Sequence, residues 1–304
     1  MAIINNLKAR FGFGSRTREV NREVMEERAK GNVSTPNKVY GNSNDYIGPG
    51  GFVVASGDSV YLWKPGMEPL FVLKDGSKIS CLAVYDNNKF SYGVGTTIVT
   101  CSLADHSEEH NKRFFDTDYV HRARNVSCLH VHTDGKPYDC GAYGVFSGEE
   151  NERVFPKLLG PIHALESKGN AIFAITNKGV STGGGSYYIH KRGLISMCYS
   201  EKNNYMLCGT SDEIIKFSPD LNQTFPPWTG TVCTRKGPVQ AIRIYNGDAF
   251  DASGKYIFNT FSNVRGENPI LEMEKDINDF VSVDDDMFDL FLKYAERKKP
   301  EALQ

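Results

Sequence analysis

Six times along the chain a β-branched residue is followed three positions later, and often also five later, by an apolar one. These phrases open at Ile79, Val126, Ile162, Ile195, Val239 and Ile277, roughly 40 residues apart. After each of the first five come a polar turn, a second apolar run, a Gly-centred or polar turn and a third run, an order shared by residues 84–103, 199–220 and 244–263. Short apolar runs punctuated by turn residues predict strands joined as antiparallel hairpins. One sheet of about four such strands cannot bury its own faces and becomes stable only when stacked against its neighbours. A ring of sheets buries every face and protects every edge, so the predicted fold is all-β, a β-propeller.

The first repeat lacks an innermost strand, because residues 46–51 hold no such phrase before the apolar run at Phe52. The sixth phrase, at Ile277, has no continuation. The two defects cancel if residues 277–283 complete the sheet begun at 52–73, which predicts six blades and a ring closed by pairing the chain ends. Seven blades are the alternative, if residues 33–46 and 286–294 supply strands.

Residues 195–217 resemble a WD-repeat blade, with Gly209, Ser211, Asp212 and Phe217 in the family's positions. Residues 52–63 are similar to its second half, through Ser56, Gly57, Asp58 and Trp63. The Gly-His and Trp-Asp pairs of that family are absent. The resemblance covers about residues 47–283 and implies a WD40-like propeller that acts as a non-catalytic platform for protein assembly.

Residues 1–46 and 284–304 fall outside the ring as an N-terminal arm and a C-terminal tail. Residues 15–30 carry a cap signal and a narrow apolar edge, which predicts a short helix. In the tail, Met287, Leu290, Phe291, Tyr294 and Ala295 share one helical face, and the acidic run 284–286 suits the positive end of a helix. Either helix would pack on the propeller or dock to another chain.

Composition narrows the partners. Lys+Arg 35 against Asp+Glu 37 gives a net charge of -2, so no global basic field draws the chain to nucleic acid. The exception is local, because Arg16, Arg18 and Arg22 belong to a net-positive N-terminal arm that could contact nucleic acid or an acidic protein surface. No apolar stretch is long enough for a membrane helix, and no membrane partner is expected. Seven cysteines without a C-x-x-C pair read as free thiols in a reducing, cytoplasmic compartment. The basic bias before Glu19 is shared by organelle transit peptides and keeps organelle targeting open.

Several motifs invite a chemical reading. Gly179, Ser181 and Gly183 fit G-x-S-x-G, but the residues that follow cannot start the helix of a nucleophile elbow. His106 and His110 would share a face only on a helix, and lack the adjacent glutamate of a zinc-protease motif. His130 and His132 share a strand face with no third ligand in view. Neither Gly12 and Gly14 nor Gly183 to Gly185 completes a nucleotide-binding loop, so no cofactor is expected.

The second position of the innermost phrases is uniformly polar: Ser80, Ser127, His163, Ser196, Gln240 and Asn278. Strands beside a watery central channel require this, for solvation or for hydrogen bonds between blades. A ligand site at the channel mouth is the sharper reading, and an enzyme there would need charged residues converging in the channel. Partner contacts are expected instead from Phe225 and Trp228 in a Pro-stiffened loop, from Arg16, Arg18 and Arg22, and from Phe291 and Tyr294.

Overall fold

The chain forms a six-bladed β-propeller in a computed structural model that describes residues 38–39 and 50–298, except 86–87, 113, 118–119, 124, 132–136, 142–143, 148–151, 154–160, 169–170, 177, 183–186, 191, 201, 219–227, 246 and 264. Each blade is a four-stranded antiparallel sheet. From inside to outside, blade one is Ile277–Val283, Gly51–Ser56, Ser59–Trp63 and Leu70–Lys74. Blade two runs Ile79–Tyr85, Lys89–Val94, Thr97–Ser102 and Glu108–Lys112. Blade three comprises Cys128–Val131, Pro137–Gly141, Gly144–Ser147 and Glu152–Arg153. The fourth has Ile162–Lys168, Ala171–Thr176, Gly179–Thr182 and Tyr187–Ile189. Ser196–Ser200, Tyr205–Gly209, Glu213–Phe217 and Trp228–Thr234 make blade five. Blade six has Val239–Tyr245, Asp248–Ser253, Tyr256–Asn259 and Leu271–Glu272.

Most blade strands are apolar on both faces because each face belongs to a different interface. In Gly51–Ser56, Phe52 and Val54 pack toward blade six while Val53 and Ala55 pack toward blade two. Six separate core clusters result, one between each pair of neighbouring blades. The ring closes as the paired sequence defects require, with Phe52 opposite Ser282 and also opposite Trp63. Seven blades do not form: Lys38–Val39 adds a fifth strand to the outer edge of blade six, and residues 286–294 are helical. A separate hairpin, Phe114–Thr117 with Val120–Ala123, lies in sequence between the strands of blades two and three.

Polar contacts fasten the closure. Lys275, just before the closing strand, places Nζ 2.8 Å from Asp58 Oδ1 in the first hairpin turn, and Ser56 Oγ donates to the Lys275 carbonyl at 2.8 Å. The Lys275 ammonium holds the Asp58 carboxyl down at about 2, against 3.8 ordinarily. Between those values the unfolded chain binds a proton that the folded one does not, so this stabilisation is complete above roughly pH 4 and is lost as the pH falls toward 2. Thermal melts should show Asp58→Asn less stable than wild type at pH 5 and converging with it near pH 2.

Helix α1 (Asp285–Lys298) starts where the acidic run predicts, its first turn capped by Asp284 Oδ1 accepting from the Met287 N–H at 2.8 Å. Phe288, Phe291, Tyr294 and Ala295 are buried in the core between blades one and two. The Phe291 ring lies 5.0 Å from Phe90, and Tyr294 stacks on His106 with centroids 4.9 Å apart.

One cysteine expectation is overturned. Cys128 and Cys140 sit directly opposite one another in blade three and form a disulfide, while Cys81, Cys101, Cys198, Cys208 and Cys233 are buried thiols outside any disulfide. Burial pushes the Cys81, Cys208 and Cys233 thiols up to about 12, which leaves them chemically quiet. Thiol titration of denatured, unreduced protein should return five per chain, and seven would restore the fully reduced reading.

Candidate functional site

The innermost strands surround the propeller axis, and their polar second positions do not act alike. Ser80 Oγ donates to the Val126 carbonyl, Ser127 Oγ to Ile162 and Ser196 Oγ to Val239, each at 2.7 Å. Each bond reaches the first residue of the next blade's phrase, so these three serines stitch neighbouring blades. Gly93 and Gly209 make room for them, since a Cβ at either position would collide with the Ser80 or Ser196 hydroxyl. Gln240 Oε1 accepts from the Gly254 N–H at 2.9 Å, and Asn278 Nδ2 donates to the Gly57 carbonyl at 3.1 Å. His163 is half-buried, and burial lowers its pKa.

Deeper in the same strands lies a charged group that the second-position rule passes over. Arg243 Nη2 is 2.6 Å from Asp279 Oδ1, and its Nη1 donates to the Ile242 carbonyl at 2.7 Å. Asp279 also accepts from the backbone N–H of Leu82 at 2.9 Å and of Phe280 at 2.8 Å. One carboxylate thus ties blades six, one and two together. Glu166 accepts from Ser167 N–H at 3.0 Å and, across the interface to blade five, from Tyr199 N–H at 3.2 Å. Burial pushes the Glu166 carboxyl up, and the Arg243 charge acts in the opposite direction. The available signal was a charged residue beyond the polar second position in each of three phrases, IHALES, VQAIRI and INDFVS.

Charged residues therefore do converge near the axis, and their described bonds go to one another, to backbone groups and, from Glu166, to the Cys198 thiol. This arrangement rigidifies the ring by linking blades. The Cys198 thiol lies beside Glu166, but burial pushes its pKa up and keeps it protonated.

The remaining candidates are placed as follows. Ser181 is buried within the strand Gly179–Thr182, opposite Ala174, rather than on an exposed elbow. His106 stacks on Tyr294 in a turn and His110 lies in the outer strand of blade two, so no helix unites them. His130 Nε2 is 3.0 Å from Ser167 Oγ, and His132 lies outside the described residues. Among the described residues, no three His, Cys, Asp or Glu side chains converge to hold a metal ion.

Phe291 and Tyr294 are corrected as docking residues, because both are 0% exposed against the ring and cannot meet a partner while the helix is seated. Trp228 is not in a free loop: its backbone opens the outermost strand of blade five opposite Phe217. Its side chain lies outside the described residues, as do Phe225, Arg16, Arg18 and Arg22.

No protein-family model matches the chain, and no curated protein sequence does. Solved structures match it in shape. The crystal structure of a nidogen/laminin complex superposes with a TM-score of 0.62 at 8% identity, covering 77% of this chain and 98% of that one. A protein of unknown function from Bacteroides caccae gives 0.57 at 10% identity over 77% and 99%. The WD40 β-propeller domain of Doa1 gives 0.54 at 12% identity over 83% and 95%. At these identities the likeness is one of fold, and it includes a WD40 propeller as the sequence resemblance implies.

Proposed function

We propose that the chain is a non-catalytic interaction platform, a propeller subunit of a multiprotein assembly. The observation that carries this reading is the use made of the axial charges: Arg243 and Asp279 link blades six, one and two, and Glu166 links blades four and five, leaving the outer surface for recognition. A rigid ring that displays many loops, with an arm joined to blade six through Lys38–Val39, suits simultaneous contacts to other proteins. Among the described residues no helix is long and apolar enough to cross a membrane. The five thiols outside the disulfide support a cytoplasmic setting, and the Cys128–Cys140 bond weighs against it.

Affinity purification of the tagged full chain from its native cells, followed by mass spectrometry, tests the platform. Reproducible partners in near-stoichiometric amounts are the expected result, and recovery of the chain alone would overturn it.

A hydrolase-like site at the channel mouth is the second reading, and the axial convergence of Glu166, Arg243 and Asp279 is what favours it. Turnover of generic ester or phosphate substrates that disappears in Glu166→Gln would support that reading over the platform.

A further inference from the structure

At the outer end of blade six, beside the connection from blade five, lies a cavity of about 700 Å³. Pockets of this size accommodate a ligand larger than one amino acid. Tyr256, Phe258 and Ile270 are among the residues that line it; Phe258 is buried with the Arg235 guanidinium 4.6 Å over its ring, and the Ser253 hydroxyl donates to the Gly237 carbonyl at 3.0 Å.

Hydrogen bonds cross-link the described residues of the loop that lines the cavity. Asn263 organises it: its N–H donates to the Asn259 carbonyl at 3.1 Å, its Oδ1 accepts from the Glu267 N–H at 3.0 Å, and its Nδ2 donates to the Asn268 carbonyl. Arg235 Nη1 donates to the Asn263 carbonyl at 2.9 Å and so fixes the loop to blade five.

The rim carries both signs of charge. Glu272 is engaged by Lys255 at 2.5 Å. Lys236 and Glu267 are exposed on the rim, and neither has an ion pair among the described residues. On the flank of the cavity, the edge Leu271–Glu272 already accepts an extended segment, Lys38–Val39, as an added strand.

We propose that this cavity docks a short extended peptide of a partner protein. The peptide would carry one aromatic residue to lie against the half-buried Tyr256 and Ile270, an acidic residue for Lys236 and a basic residue for Glu267. Aromatic anchors in a preformed pocket supply affinity, and rim charges supply orientation. The proposal deepens the platform reading and rests on it.

Selection of a random phage-displayed peptide library on the full chain tests it. Enriched peptides should place an aromatic residue between an acidic and a basic one. Their affinity should fall about tenfold in Lys236→Glu and in Glu267→Lys, and exchange of the peptide charges should restore binding to the double variant. Unchanged melting temperatures of the variants verify that they are folded, as expected for exposed positions. Absence of enrichment, or enriched peptides that bind both variants like wild type, would overturn the cavity site. If both variants retain native partners in full, the cavity proposal falls and the platform stands. Recovery of no native partner overturns the platform itself.

Discussion

Replacing Asp279 with alanine is expected to lower stability by about 3 kcal/mol, the low end of the range for removing one partner of a buried ion pair, because the Arg243 side chain is 25% exposed. The substitution strands the Arg243 guanidinium and removes the acceptor of the Leu82 N–H, so it loosens three blades at the strand that closes the ring. In a chain of this size the loss should lower the melting temperature by on the order of 10 °C. Asp279→Asn keeps an acceptor for one donor and should lose less. Pairing Asp279→Leu with Arg243→Met should recover part of the loss, because neither member of this ion pair is then left without the other. A melting temperature for Asp279→Ala within about 2 °C of wild type would remove this residue from the closure.

An equal or larger loss is expected for Asp251→Ala. The side chains of Arg235 and Asp251 are both fully buried and joined by two bonds of 2.6 Å, and Thr260 Oγ1 donates to the same carboxylate at 2.8 Å. Arg235 also lies 4.6 Å over the Phe258 ring and holds the loop through Asn263. Removing the carboxylate leaves a guanidinium with no counter-charge in a dry site and should cost about 3 to 5 kcal/mol. The hydrogen bonds among residues 263 and 265–270 should weaken with it, readable as faster amide exchange in those residues than in wild type. Unaltered exchange in the loop would mean that Arg235 does not organise it.

Strand order and ring closure were legible because each depends on a local pattern. A β-branched opening residue and an apolar fourth position mark the strand nearest the axis, and the missing phrase before Phe52 pointed directly at Ile277. The pattern misses how a strand's charges are used. Ser80 and Asp279 both lie in innermost phrases, yet only the folded ring reveals that one bonds its neighbour's carbonyl while the other joins three blades.

Helix α1 shows a similar limit. Its apolar face was visible in Phe291 and Tyr294, but hydrophobic spacing is the same for a face that meets its own ring and for one that meets a partner. Phe90, which settles the matter, is about 200 residues away in sequence. Cys128 and Cys140 likewise reveal their pairing only through strand register, because no spacing rule connects them. The cavity beside blade six was invisible for the same reason, as it forms from the interblade connection, a strand and a long loop.

The most direct test of the platform is the mass of the protein in its native setting. Size-exclusion chromatography with light scattering, applied to the full chain isolated gently from its source cells, should give a heteromeric particle well above the 33.9 kDa of one chain. The particle should dissociate in high salt if charged surfaces contribute to assembly. A single species at the mass of one chain, in the same extract and at low salt, would contradict the account.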